Sequence, residues 1–141
     1  GGPFEGNTAT VRDGRIKAAA IAAPWVGGNH DGNDVHAFGP GNSGLDRVGI
    51  PVISFVATED EVIPASMILA AMKQLSGPAY VIELVDQPHV FEPGSWEDRN
   101  GWELLFFSAY LKDDPTSLKT LKRARSMMGG NEDRQLFDYQ K

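Results

Sequence analysis

Apolar positions fall into a few dense runs separated by polar and glycine-rich stretches. The densest is Pro51-Val52-Ile53-Ser54-Phe55-Val56-Ala57, nearly continuous and rich in β-branched and aromatic residues. Such a run predicts a strand buried on both faces, as inside a parallel sheet. Tyr80-Val81-Ile82-Glu83-Leu84-Val85 has the same character. The alanine-rich run from Arg15 to Trp25 is polar at its start and stopped by Pro24. Its shortness, between a glycine loop and a proline, favours strand over helix. Helical spacing covers Pro64 to Leu75, where Ile68, Met72 and Leu75 recur with Leu69 and Ala71 beside them, and Ser76-Gly77-Pro78 ends it. Trp102 to Lys112 predicts a strongly apolar helix with Asn100 as its cap. Asp114-Pro115 opens another, a cap followed by a first-turn proline. Its Leu118, Leu121 and Met128 face inward, Lys119, Lys122, Arg123 and Arg125 face water, and Gly129-Gly130 ends it.

The rest reads as loop: Gly1 to Gly14, Val26 to Gly49, Phe91 to Gly101, and a polar tail to Lys141. The stretch from Val26 to Gly49 carries seven glycines, and loops of that length in a small domain are usually functional or mobile. The predicted order is strand, long loop, strand, helix, strand, helix, helix. Strands joined through helices imply a parallel sheet and an α/β class. Three strands leave both sheet edges open, so the expectation is part of a domain. Residues 1–14 would be loop, 15–114 the core, and 115–141 a C-terminal helix and tail.

Composition narrows the function classes. A chain of 141 residues with 41% hydrophobic and 9% aromatic content can bury a real core. A net charge of −6 leaves no basic surplus for phosphates and argues against nucleic acid as a partner. No apolar run reaches the roughly 18 residues of a membrane helix. The absence of cysteine excludes disulfides and thiolate chemistry and leaves the compartment open, secreted or cytoplasmic. Gly1 does not look like a natural start, and no signal peptide is visible.

The candidate chemistry lies just past two strand ends. Asp60 follows the first buried run, and His89 follows the second through Asp86-Gln87-Pro88. In open α/β sheets the carboxyl edge is where ligands bind, so the two can meet in one cleft. A histidine titrating near neutral pH can act as a general base, with a carboxylate to fix its tautomer. The opposing reading is a loop histidine and a solvated acid. Glu59 and Glu61 would point away if Asp60 points in. Trp25 ends the alanine-rich strand at the same edge, where it can contact substrate or join the core. His30, Asp31, Asp34 and His36 fit no closed zinc spacing, so no metal is assigned and a solvated loop is the simpler account. The basic residues from Lys119 to Arg125 read as a solvated face.

The pieces RIKAAAIAAPW, IPVISFVATEDEVIP, YVIELVDQPHVFEP and WELLFFSAYLKDD together resemble the carboxyl-terminal half of an α/β-hydrolase, over roughly Arg15 to Asp114. The closest branch is the dienelactone hydrolase-like and polyester hydrolase or cutinase-like esterases. The resemblance implies a Ser-Asp-His esterase acting through an acyl-enzyme, with Asp60 the triad acid and His89 the base. It implies that Trp25 and Val62 line the substrate cleft, that the substrate is a small-molecule or polymeric ester, and that no cofactor is needed. Two departures stand out. The family turn before the histidine is usually G-x-x-H or G-x-G-H, where this chain has Asp86-Gln87-Pro88-His89. No serine here sits in a G-x-S-x-G elbow. The expectation is a serine upstream of Gly1, carried with the oxyanion hole by the missing amino-terminal half of the domain. A start in a loop well past the nucleophile helix is a third possibility, and a decayed elbow at Gly1 to Gly6, with Pro3 in the serine position, is the other alignment. It fits a second reading, a non-catalytic α/β-hydrolase-like binding or structural module. A flavodoxin-like binding domain is disfavoured because no phosphate-binding glycine loop opens a helix.

Overall fold

A computed structural model describes residues 13–30, 33–36, 38, 44–127 and 133–139. Strands β1 (Ala19–Ala22), β4 (Val52–Glu59), β5 (Ala79–Pro88) and β6 (Asp133–Tyr139) form one sheet in the order β1-β4-β5-β6. A separate antiparallel hairpin pairs β2 (Gly27–His30) with β3 (Asn33–His36). The helices are α1 (Ala65–Met72), α2 (Trp96–Leu111) and α3 (Pro115–Arg123). β1, β4 and β5 run parallel, and β6 joins β5 antiparallel. This is an α/β fold, a mostly parallel sheet with flanking helices.

Alternation along the buried strands explains why both sheet faces need cover. Val52, Val56, Ala79 and Val81 pack on one face with Ile68, Ala71 and Met72 of α1. Ile53, Phe55, Tyr80, Ile82 and Leu84 pack on the other with Trp102, Phe106 and Ala109 of α2 and Leu121 of α3. Ser54 falls on the α1 side of β4, fully buried, and its hydroxyl has no hydrogen-bond partner among the described residues. On the α2 side the Tyr80 and Tyr110 hydroxyls are 2.7 Å apart, and Phe106 meets Tyr80 edge-on. The α1–β5 connection crosses close to the β4 entry. A Cβ on Gly77 would lie 2.5 Å from the Gly49 carbonyl oxygen and 2.6 Å from that of Ile50, so only glycine fits.

Several elements differ from the sequence reading. The tail read as polar loop contains β6, so the sheet has four strands and β5 is not an edge. β6 alternates too weakly to announce itself and is held by specific contacts. The buried Asp133 carboxylate accepts from the Trp102 indole N–H and, at 3.0 and 3.1 Å, from the Met127 amide. Arg134 pairs with Glu83 of β5. The long loop contains the β2–β3 hairpin and a 3-10 turn over Leu45–Arg47. Glycines at strand positions conceal such a hairpin, because they carry no side-chain pattern. α2 begins at Trp96, not after Asn100, which lies inside it. Glu97 and Asp98 occupy its first turn, where acids favour helix initiation. α1 is shorter than the predicted span. α3 starts as expected, with the Asp114 carboxylate accepting from the amides of Thr116 and Ser117 at 3.1 Å. It ends at Arg123, ahead of the predicted glycine stop. Met128, Gly129 and Gly130, and residues 1–12 of the predicted first loop, lie outside the described residues.

Candidate active site

The register of the two central strands brings Asp60 and His89 together. Ala57 pairs with Leu84, and the next aligned pair is Glu59 with Pro88. β5 therefore spends four residues where β4 spends two, a bulge of the kind that re-aims side chains beside functional sites. Asp86 sits in it with a left-handed backbone, φ 54°. Its amide donates to the Thr58 hydroxyl across the strands at 2.8 Å. Beyond the bulge the strands realign, and the residues after Glu59 and Pro88 are Asp60 and His89. Pro88 closes the strand without disturbing this meeting.

The Asp60 carboxylate is held from two sides. Oδ1 accepts from the amides of Val62 at 2.8 Å and Ile63 at 2.7 Å, a local turn that fixes the acid in its own loop. His89 Nδ1 lies 2.9 Å from Oδ2 and 3.1 Å from Oδ1. The Asp60 side chain is 1% exposed and that of His89 35%. Burial pushes the Asp60 carboxyl upward. The Ile63 amide, His89 and the Val62 amide outweigh it and hold the group below its ordinary range. A carboxylate on Nδ1 selects the tautomer with the proton on Nδ1 and leaves the Nε2 lone pair available. Among the described residues, no hydrogen bond reaches Nε2. Glu59 and Glu61 are exposed.

The other predicted site residues share this edge. Trp25 follows β1 after Ala23, whose backbone is left-handed and whose amide donates to the Phe55 carbonyl at 2.9 Å. Trp25 is 43% exposed and Val62 54% exposed, so neither is core. Val90, next to His89, is more exposed still. Each of the three parallel strands is thus followed, within three residues, by an exposed apolar side chain at the edge that carries the Asp–His pair. His30, Asp34 and His36 lie on the hairpin, where the register sets Asn29 opposite Asp34 and Gly27 opposite His36. Asp31 is outside the described residues. Among the described residues, no three His, Cys, Asp or Glu gather as a metal would need.

Two contributors escaped the sequence reading. Thr58 pins the bulge, and Gln87 is buried beneath the histidine turn. The Gln87 Oε1 accepts from the Glu92 amide at 3.0 Å, and its Nε2 donates to the Asp86 carbonyl at 3.3 Å. Their only signal in the sequence is a polar residue beside the bulge, Gln87 buried and Thr58 exposed, and periodicity does not foresee a bulge. Compared with known proteins, the chain matches no family profile and no curated protein. No helix among the described residues is long and apolar enough to cross a membrane.

Proposed function

We propose that this chain carries the acid and the base of a serine-type ester hydrolase of α/β-hydrolase architecture. The observation that carries the reading is the buried Asp60 carboxylate bonded to Nδ1 of a half-exposed His89, with Nε2 left for a reacting group. In the proposed reaction a serine hydroxyl outside these 141 residues loses its proton to Nε2 as it attacks the ester carbonyl. Asp60 holds the ring and stabilises the imidazolium formed. The proton then passes to the leaving alkoxide. Water, deprotonated by the same nitrogen, releases the acid from the acyl-enzyme. Trp25 and Val62 supply apolar surface for the ester. The resemblance of the strand ends to the esterase branch supports the same assignment.

The test is hydrolysis of a nitrophenyl ester by the chain purified natively with whatever polypeptides accompany it. His89→Ala is expected to abolish turnover, and Asp60→Asn to lower it by about 10²-fold or more, since the asparagine favours the wrong tautomer. Turnover indifferent to both substitutions contradicts the proposal. A preparation that holds a companion polypeptide and shows no turnover favours the non-catalytic module.

A further inference from the structure

We propose that Gln87 is a positioning residue for His89, closing the 87–92 loop so that Nδ1 stays on Asp60. The inference rests on reading His89 as the base. Residues 89–91 follow the last strand pair and precede the 3-10 turn at Pro93–Ser95. Beyond the strand ladder, which ends with Glu59 opposite Pro88, no backbone–backbone hydrogen bond among the described residues holds them. The loop is instead closed by one side chain. Gln87 is 2% exposed, and its Oε1 takes the Glu92 amide proton from the far end of the loop. The Glu92 carbonyl in turn accepts from the amide and hydroxyl of Ser95 at 3.0 and 2.9 Å, which ties the clasp to the start of α2. At the near end, Nε2 of the same amide holds the carbonyl of Asp86, the left-handed bulge residue. One buried amide therefore spans both flanks of His89. Gln87 thus supplies by side chain a loop closure that backbone bonds beyond the strand ladder do not make.

The readout is the imidazole ¹⁵N spectrum of the full chain at about pH 8, where an ordinary histidine is neutral. The two nitrogen shifts give the ratio of Nδ1–H to Nε2–H tautomer. Gln87→Met keeps the volume and removes both hydrogen bonds. Glu92→Pro removes the opposing donor at an exposed residue whose φ of −70° suits proline. Each is expected to lower the Nδ1–H to Nε2–H ratio by about fivefold, the factor for one hydrogen bond of average net worth. The double variant should fall no further than Gln87→Met alone, because the bond that Glu92→Pro removes is already lost in it. A merely structural role would lower the melting temperature and leave the ratio in folded molecules unchanged. A wild-type ratio in either variant overturns the proposal, and if Gln87→Met does not fold, Glu92→Pro decides. No nucleophile or substrate enters the measurement, so failure of the hydrolase reading would appear in turnover and not here.

Discussion

Replacing Asp60 separates its two jobs. Asp60→Asn keeps an oxygen for the amides of Val62 and Ile63 but presents an N–H group where His89 needs an acceptor. Asp60→Ala removes all three contacts. His89 is 35% exposed, so its contact belongs near the surface-pair range. Asparagine should therefore cost only about 1 kcal/mol. The Val62 amide can turn to water, whereas the Ile63 residue is buried. Stranding that donor and losing charge-assisted bonds puts alanine at about 2–4 kcal/mol. In urea, with a slope of about 2 kcal/mol/M, the midpoint should fall by roughly 0.5 M for asparagine and 1–2 M for alanine. The gap between wild type and Asp60→Asn should also depend on pH. The folded state holds the Asp60 carboxyl below its ordinary 3.8, so the unfolded chain binds more protons there. Asp60's contribution is full above that ordinary value and is lost as pH falls through the folded value. The gap should shrink as pH falls below about 4. Equal midpoints for the two variants at neutral pH would refute the division of labour, and a gap that widens as pH falls below about 4 would refute the sign.

Three further outcomes follow from particular contacts. Gly77→Ala drives a Cβ into the Gly49 and Ile50 backbone, which cannot swing aside, and should cost about 1–3 kcal/mol in thermal unfolding. Ser54→Ala removes a buried hydroxyl that has no partner among the described residues; stability should be unchanged or higher by up to about 1 kcal/mol. Asp133→Ala strands the Trp102 indole and the Met127 amide, so the amides of β6 should lose hydrogen-exchange protection well before those of β4 and β5.

What the sequence discloses depends on whether burial or a specific contact builds the element. β4 and β5 are legible because a strand covered on both faces must be apolar throughout, and Val52 to Ala57 is buried without a break. Asp114-Pro115 is legible because a cap and a first-turn proline act locally. β6 is not, since Asp-Arg-Gln-Leu-Phe-Asp-Tyr owes its place to Asp133 and Arg134 reaching residues far away in the chain. The start of α2 is missed for a related reason. Its first turn is polar, and the apolar pattern used to find it begins only at Trp102. At the site, Asp60 and His89 are legible because strand ends and residue type suffice to select them. Their meeting is expected from the shared carboxyl edge, but the bulge in β5 that aims them is not legible. Gln87 and Thr58 are invisible for the same reason, as they act only once that bulge exists.

In the proposed reaction the Asp60–His89 pair activates a serine. Fluorophosphonate labelling of natively purified material, with intact-mass measurement of every polypeptide present, tests it most directly. The account predicts one phosphonylated serine on a companion or upstream segment, with labelling lost in His89→Ala and strongly slowed in Asp60→Asn. Labelling that persists at the wild-type rate in both variants, or that falls on a serine within these 141 residues, would contradict it.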